Sequence, residues 1–362
     1  MIHRQRRKTG WGFGPALFFI IGFFSQANAE IQPFGRFENQ IVSEPEPIRT
    51  TIKDWGKDFE RGERQWSVNH LEAGVRKDGV ELSVFARALV DLRMNDDAAE
   101  FYGRIARKEP LEVGESVPVR VRANGFVGQG LRLGYRHQAG SWSVTGGAAL
   151  LKARYLMSGG LEGRFTATSE SDYDFNARVD YVYYRDVIFK RPDVDEADGL
   201  GWSFDLAADW QPDENWAFSF RAEDLLARIR WDDAPFTEAA ADTDQKRYDE
   251  DGYAVFEPLL SGREGYRNFT QHLDPQLRVD TSWLNGPWSA HLRGLYQFDQ
   301  GLLGLGGGYQ FGNGLAVRGL VWPELEAIGV ELEYRRWQAS IGADHLKWRD
   351  IQALTLAVSY GY

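Results

Sequence analysis

Along much of this chain, apolar and polar residues alternate. At its end, Leu354, Leu356, Val358, Tyr360 and Tyr362 fall on one side of an extended backbone, with Ala353, Thr355, Ala357, Ser359 and Gly361 on the other. A period of two means a strand with one greasy face and one face of small or polar residues. Ile328, Val330, Leu332 and Tyr334 repeat the pattern on even numbers, and Trp337, Ala339, Ile341 and Ala343 continue it on odd ones. A two-residue hairpin at Arg335–Arg336 produces that switch, because the residues flanking it share a face, and it sets Tyr334 beside Trp337. The same reading predicts strands over 315–322, 301–311, 288–298, 272–283, 216–231, 201–211 and 172–184. Turn tripeptides such as Gly312-Asn313-Gly314 and Asn285-Gly286-Pro287 separate them. Residues 65–76 and 80–95 form a further pair around Lys77-Asp78-Gly79. Near residues 96–108 the period changes: Ala99, Tyr102, Ile105 and Ala106 share a helical face, which predicts a short helical insert.

Composition sharpens this picture. A mean hydropathy of −0.45 would suit a water-soluble protein. A barrel hides from such averages, however, because its strands alternate lipid-facing and lumen-facing residues. An aromatic content of 14% with 39 glycines fits strands, girdles and tight turns. At the N-terminus, Arg4, Arg6, Arg7 and Lys8 precede an apolar stretch from Trp11 to Phe24 and then Ala27-Asn28-Ala29, the layout of a secretory signal peptide cleaved after Ala29. The absence of cysteine excludes disulfides, thiolate metal sites and cysteine nucleophiles. The net charge of −11 argues against nucleic acid as a partner, and against docking on anionic lipid through overall charge.

The export segment, the alternation from about residue 65 onward and the aromatic C-terminal strand together resemble bacterial outer-membrane β-barrel proteins, porin-like at the level of the class. That resemblance implies an antiparallel transmembrane β-barrel of about 16 strands (12–16, an even number) in the cell outer membrane. It also implies contact with outer-membrane lipid and lipopolysaccharide, and recognition of the last strand by the barrel-assembly machinery. The expected division is 1–29 signal peptide, 30–64 an N-terminal periplasmic segment, and 65–362 the barrel. With both ends periplasmic, parity sends the short turns to the periplasm and the long connections near 185–200 and 232–271 outside. It places the helical insert on the periplasmic side.

On the inward parity stand Asp205, Asp209, Arg221, Arg278, Asp280, His291, Arg293, Arg318, Glu331, Glu333 and Arg335, the candidate lumen lining. Tyr334, Trp337, Tyr360 and Tyr362 are the candidate membrane-interface aromatics. No two of the six histidines have the spacing of a helical metal pair, and no metal or cofactor is expected. Asp242-Thr243-Asp244 opens like a calcium loop, but Lys246 and Arg247 stand where an oxygen ligand and a glycine belong. Gly304-Leu305-Gly306-Gly307-Gly308 reads as barrel-wall glycine, since a strand and no helix follows. His137 and Ser141 form the nearest approach to a nucleophile with its base.

The expectation is therefore a non-enzymatic pore or transporter of the outer membrane, passing small polar solutes or an exported polymer. Two alternatives stand beside it: a non-conducting structural or assembly barrel with an envelope protein partner, and a barrel hydrolase using His137 and Ser141. Opposed charges on the inner face suit either a conducting lumen or one zipped shut by salt bridges.

Overall fold

A computed structural model describes residues 31–51, 57–192, 194–243, 246–248, 254–256 and 260–361; the expected export segment and Tyr362 lie outside them. The strands are β1 Gln32–Ser43, β2 Arg64–Lys77, β3 Val80–Met94, β4 Ser116–Ala139, β5 Trp142–Ser169, β6 Asp172–Tyr183, β7 Asp198–Trp210, β8 Trp216–Asp242, β9 Lys246–Tyr248, β10 Ala254–Phe256, β11 Leu260–His272, β12 Gln276–Asn285, β13 Trp288–Gln297, β14 Gln300–Gln310, β15 Leu315–Trp322, β16 Ala327–Tyr334, β17 Trp337–Ala343 and β18 Ala353–Tyr360. Two helices, α1 Ile48–Thr51 and α2 Asp96–Arg107, complete the main elements. No described helix is long and apolar enough to cross a membrane.

Fourteen strands close an antiparallel barrel in the order β1, β2, β3, β4, β5, β7, β8, then β12 through β18. The ring shuts where β18 pairs with β1, from Gly35↔Tyr360 to Val42↔Ala353. The pleat aims alternate residues outward, and Leu131, Leu150, Leu200, Leu226, Ile328 and Ile341 are exposed there, an apolar band on the outer wall. One end carries the connections 78–79, 140–141, 211–215, 286–287, 311–314 and 335–336, all short. Aromatic pairs line that end: Trp142 stacks on Trp210 with centroids 5.1 Å apart, and Trp288 meets Tyr309 at 4.9 Å.

Strands β6 and β11 stand outside the ring. The strand β5 pairs with β7 along Trp142–Ala153 and with β6 beyond Met157, while β8 exchanges β7 and β12 for β6 and β11. Bulges mark the exchange, with Tyr155 and Asp224 at positive φ. Five strands, β4–β5–β6–β8–β11, thus continue past the barrel as a side sheet. On one face of that sheet, Phe101 of α2 is buried with Val117 and Ala167.

The fourteen wall strands, with two more outside, fall within the expected range of 12–16. Three other expectations are corrected. Gln32–Ser43 is a wall strand and not a separate periplasmic segment; of its outward residues Gly35, Phe37, Asn39 and Ile41 only two are large and apolar, which blurs its period. The span 232–271 is largely strand, because β8 runs on to Asp242 and pairs with β11, and its polar residues read as loop only because no lipid faces them. Helix α2 forms as expected but sits at the end opposite the short turns. Parity misplaced it because β6 and β7 run in the same direction: they are one descent interrupted by residues 184–197, and counting β6 as a separate crossing inverts every earlier assignment.

Candidate functional site: the charged lumen

Ten of the eleven expected lumen residues point inward by register: Asp205, Asp209, Arg221, Arg278, Asp280, His291, Arg293, Arg318, Glu331 and Glu333. Arg335 does not. It occupies the hairpin turn at φ 58°, exposed, with its guanidinium 5.1 Å from the centre of the Tyr334 ring. A positive φ ends the pleat at that residue, so parity cannot be carried onto it. Tyr334 and Trp337 are register partners, and Trp337 meets Tyr360 at 4.9 Å.

Strands of the same wall, adjacent or up to three apart, build the first set of charge pairs. Arg293 bonds Asp280, its register partner, and lies 3.4 Å from Glu331; Arg318 reaches Glu331 at 2.6 Å and also bonds Glu333. On the other wall Arg132 bonds Asp205 at 3.0 Å. Below these pairs, toward the short-turn end, the lumen holds a cavity of about 690 Å³, bordered by Asp209, Arg221, Arg278, Asp280, His291 and Glu331 among others.

A second set crosses the lumen. Arg278 of β12 bonds Glu38 of β1, seven strands away in a ring of fourteen. Arg36 of β1 reaches Glu223 of β8 at 2.6 Å while holding Glu72 at 3.3 Å. Arg87 of β3 makes a two-pronged bond to Asp224 of β8, both side chains buried. The bulge in β8 makes this possible: Glu223 and Asp224 both turn inward, and Leu225 and Leu226 both turn outward. Polar residues on opposite walls therefore meet in the middle of the barrel and close it as a septum.

Beside and above the septum the interior is apolar. Phe85, Leu89, Phe126, Leu151, Ile229 and Trp231 pack with Trp66 of β2 and with Leu295 and Leu302 of the facing wall. Glycines make the room: a Cβ on Gly199 would lie 2.8 Å from the Ile229 and Trp231 side chains, and one on Gly130 would lie 2.7 Å from Phe85. On β14, Gly304, Gly306 and Gly308 accept the side chains of Trp322, Leu320 and Arg318 in the same way. Beyond this layer a second cavity of about 980 Å³ opens against the side sheet, bordered by Arg93, Arg122, Glu162, Arg178, Asp180 and Glu238.

Of the septum residues, only Arg278 was expected from the sequence. Arg36 and Glu38 lie in a segment with no clear period, and the Arg87–Asp224 partners are 137 positions apart, so only the ring order joins them. The other candidates acquire structural roles. His137 shares the outer face with Leu133 and Tyr135, while Ser141 borders the inner cavity, so nucleophile and base are not brought together. Asp242 accepts a hydrogen bond from Asn176 Nδ2 at 2.7 Å, and the Thr243 N–H donates to Phe175 O, which ties the strand edge; Asp244 lies outside the described residues. Among the described residues no cluster of three or more His, Asp or Glu side chains could hold a metal ion.

No family model matches the chain, and no curated protein sequence does. The solved structures it resembles are bacterial outer-membrane barrels. A TodX deltaS2S3 mutant monoaromatic hydrocarbon channel is 12% identical over 93% of this chain and 91% of that one, with a TM-score of 0.44. A Pseudomonas aeruginosa FadL homologue is 8% identical over 92% and 90%, at 0.38. A triple mutant of the Rhodopseudomonas blastica porin is 10% identical over 91% and 99%, at 0.20. At such scores the likenesses carry no argument about cargo, which has to come from the residues.

Proposed function

We propose that the protein is a gated outer-membrane transporter for small polar solutes, shut at mid-barrel in its resting state. One observation carries the reading: two cavities with charged side chains at their borders, of about 690 and 980 Å³, lie on the two sides of a block formed by the septum and the apolar layer above it. Joining the cavities would take rotamer changes in Arg36, Arg87 and Arg278 together with movement of the apolar side chains above them. Each septum arginine has a carboxylate on its own or an adjacent wall strand, or on the opposite wall, and water can replace either partner. Opposed charges along the path would favour solutes carrying both polarities over apolar ones.

The second reading, a filled structural barrel, is favoured by the apolar layer around Trp231 and Phe126. Conductance across planar bilayers separates the two. Arg278→Ala combined with Arg87→Ala should raise the frequency of open events at least tenfold over wild type. A barrel that stays silent in both forms would favour the structural reading.

A further inference from the structure

The chain is acidic, yet one exposed area of its outer wall is not. Lys152 of β5 is the register partner of Leu200 of β7, which is in turn the partner of Arg230 of β8. One step further along β5 stands Arg154, and the neighbouring row pairs Trp202 with Arg228, whose guanidinium lies 5.0 Å from the centre of the indole. Lys152, Arg154 and Arg230 keep 53%, 58% and 71% of their side-chain surface exposed. Two carboxylates accompany these four cations. Asp198 sits 3.2 Å from Lys152 and 3.7 Å from Arg154, and Asp232 sits 3.3 Å from Arg230. The patch thus keeps a surplus of positive charge within a chain of net charge −11.

Its height on the wall says what it faces. Hydrocarbon runs through it and below it: Leu200 stands between Lys152 and Arg230, Leu150 shares the row of Trp202 and Arg228, and Leu226 lies one row lower, at 70%, 65% and 64% exposure. The stacked Trp142 and Trp210 mark the opposite, short-turn interface on the same two strands. From Trp142 to Lys152, and from Trp210 to Leu200, the strand advances ten residues. At ~3.3 Å per residue and a tilt of ~40° that is a rise of about 25 Å, the height of the apolar band of an outer-membrane barrel. The cations therefore stand where the outer leaflet exchanges acyl chains for headgroups. On the short-stranded wall the corresponding connections carry Asp299, Glu324, Glu326, Asp344 and Asp350 against Lys347 and Arg349.

We infer that this patch is a binding site for the bisphosphorylated glycolipid of the outer leaflet. Phosphates would be held by Lys152, Arg154, Arg228 and Arg230, and acyl chains would lie along Leu150, Leu200 and Leu226. Arginine and lysine side by side offer forked and point-charge donors to phosphate oxygens. The inference rests on the orientation adopted above, with the short turns in the periplasm, and not on the lumen being a conduit.

The test uses the full-length barrel in nanodiscs or detergent, with native mass spectrometry or tracer displacement reading the affinity for bisphosphorylated lipid A. Lys152→Ser with Arg230→Ser should weaken binding at least tenfold and flatten its dependence on salt. Arg122→Ser with Arg178→Ser, equally cationic but bordering the second cavity, should leave it unchanged. Dephosphorylated lipid A should bind weakly to every form, and phosphatidylglycerol should bind weakly to wild type and not respond to the substitutions. Should the double variant fail the heat-modifiability check for a folded barrel, Lys152→Gln alone serves, with an expected loss of about threefold. Unchanged affinity, equal loss in the Arg122/Arg178 control, or phosphatidylglycerol binding as tightly as lipid A would each overturn the site. The proposed transport reading fails separately: it is judged by conductance, which the outer-wall variants should not alter.

Discussion

The two walls of this barrel answer to different constraints. Strands β12 to β18 are seven to eleven residues long and joined by tight hairpins and short bends, close to the ~9–11 residues that a tilted strand needs to cross a bilayer. Strands β4, β5 and β8 have 24, 28 and 27 residues, more than twice that requirement. On the short wall Arg293–Asp280 and Arg318–Glu331 join register partners on adjacent strands. On the long wall the bulges that start the side sheet also turn Glu223 and Asp224 inward, so their ion pairs leave the wall and cross the lumen. The hydrocarbon thickness therefore accounts for one half of the ring. The other half sends Glu223 and Asp224 into the septum and carries the outer cavity and the cationic patch.

The sharpest way to break this contrast is to remove one end of a crossing pair. Arg87→Ala leaves Asp224 buried and unpaired on the far side of the lumen, a loss of about 3–5 kcal/mol by comparison with other buried pairs. Urea unfolding in detergent micelles should show it as a large fall in midpoint. Adding Asp224→Ala should restore part of the loss, because the stranded charge goes with it. A double variant no more stable than the single would mean that the pair is not what joins the walls. Glu331→Gln on the short wall should cost less, about 1 kcal/mol: Arg293 keeps Asp280, Arg318 keeps Glu333, and the amide oxygen still accepts a hydrogen bond. If Glu331→Gln proved the more damaging of the two, the distinction between wall pairs and crossing pairs would fall.

The same contrast explains what the sequence could tell. On the short wall, lipid on one side and charge on the other impose a strict period of two, and glycine-containing turns punctuate it. The strands there, and their inward residues from Arg278 to Glu333, are legible without coordinates. On the long wall the chain leaves the bilayer while remaining a strand. Glu162, Arg178 and Glu238 then face a cavity while the opposite face of the same sheet packs on α2 and residues 184–197, and no lipid keeps the pattern regular. Tyr155, Asp224 and the change of partner from β6 to β7 each shift the parity, and a count made from periodicity inherits every shift. That is why Asp205 and Arg221 could be assigned inward while Asp224, which follows the inward Glu223 and turns inward too, could not. It is also why the helical insert was recognised as a helix yet placed at the wrong end.

The join between the two descents, residues 184–197, offers the smallest and most local test. Its first turn is fastened by Asp186, which accepts the Tyr181 hydroxyl at 2.5 Å and the backbone N–H groups of Ile188, Phe189 and Arg191 at 3.0, 2.8 and 3.3 Å. Burial works against ionisation of this carboxyl, but the phenol and the three N–H donors outweigh it and hold it below the usual carboxylate range. A depressed folded value means that the fastening is complete above that range and is lost as pH falls through the lowered value. Hydrogen exchange at Ile188, Phe189 and Arg191, corrected for the intrinsic effect of pH, should therefore accelerate only under distinctly acidic conditions. Asp186→Ala should show the fast rate already at neutral pH with no further response to acid. The turn 311–314 on the short wall supplies the internal control, since the Gly314 N–H donates to Phe311 O at 2.9 Å, an acceptor that does not titrate. If exchange in the two turns changed in parallel, acid would be loosening the barrel as a whole, and residues 184–197 would not be a separately fastened break between β6 and β7.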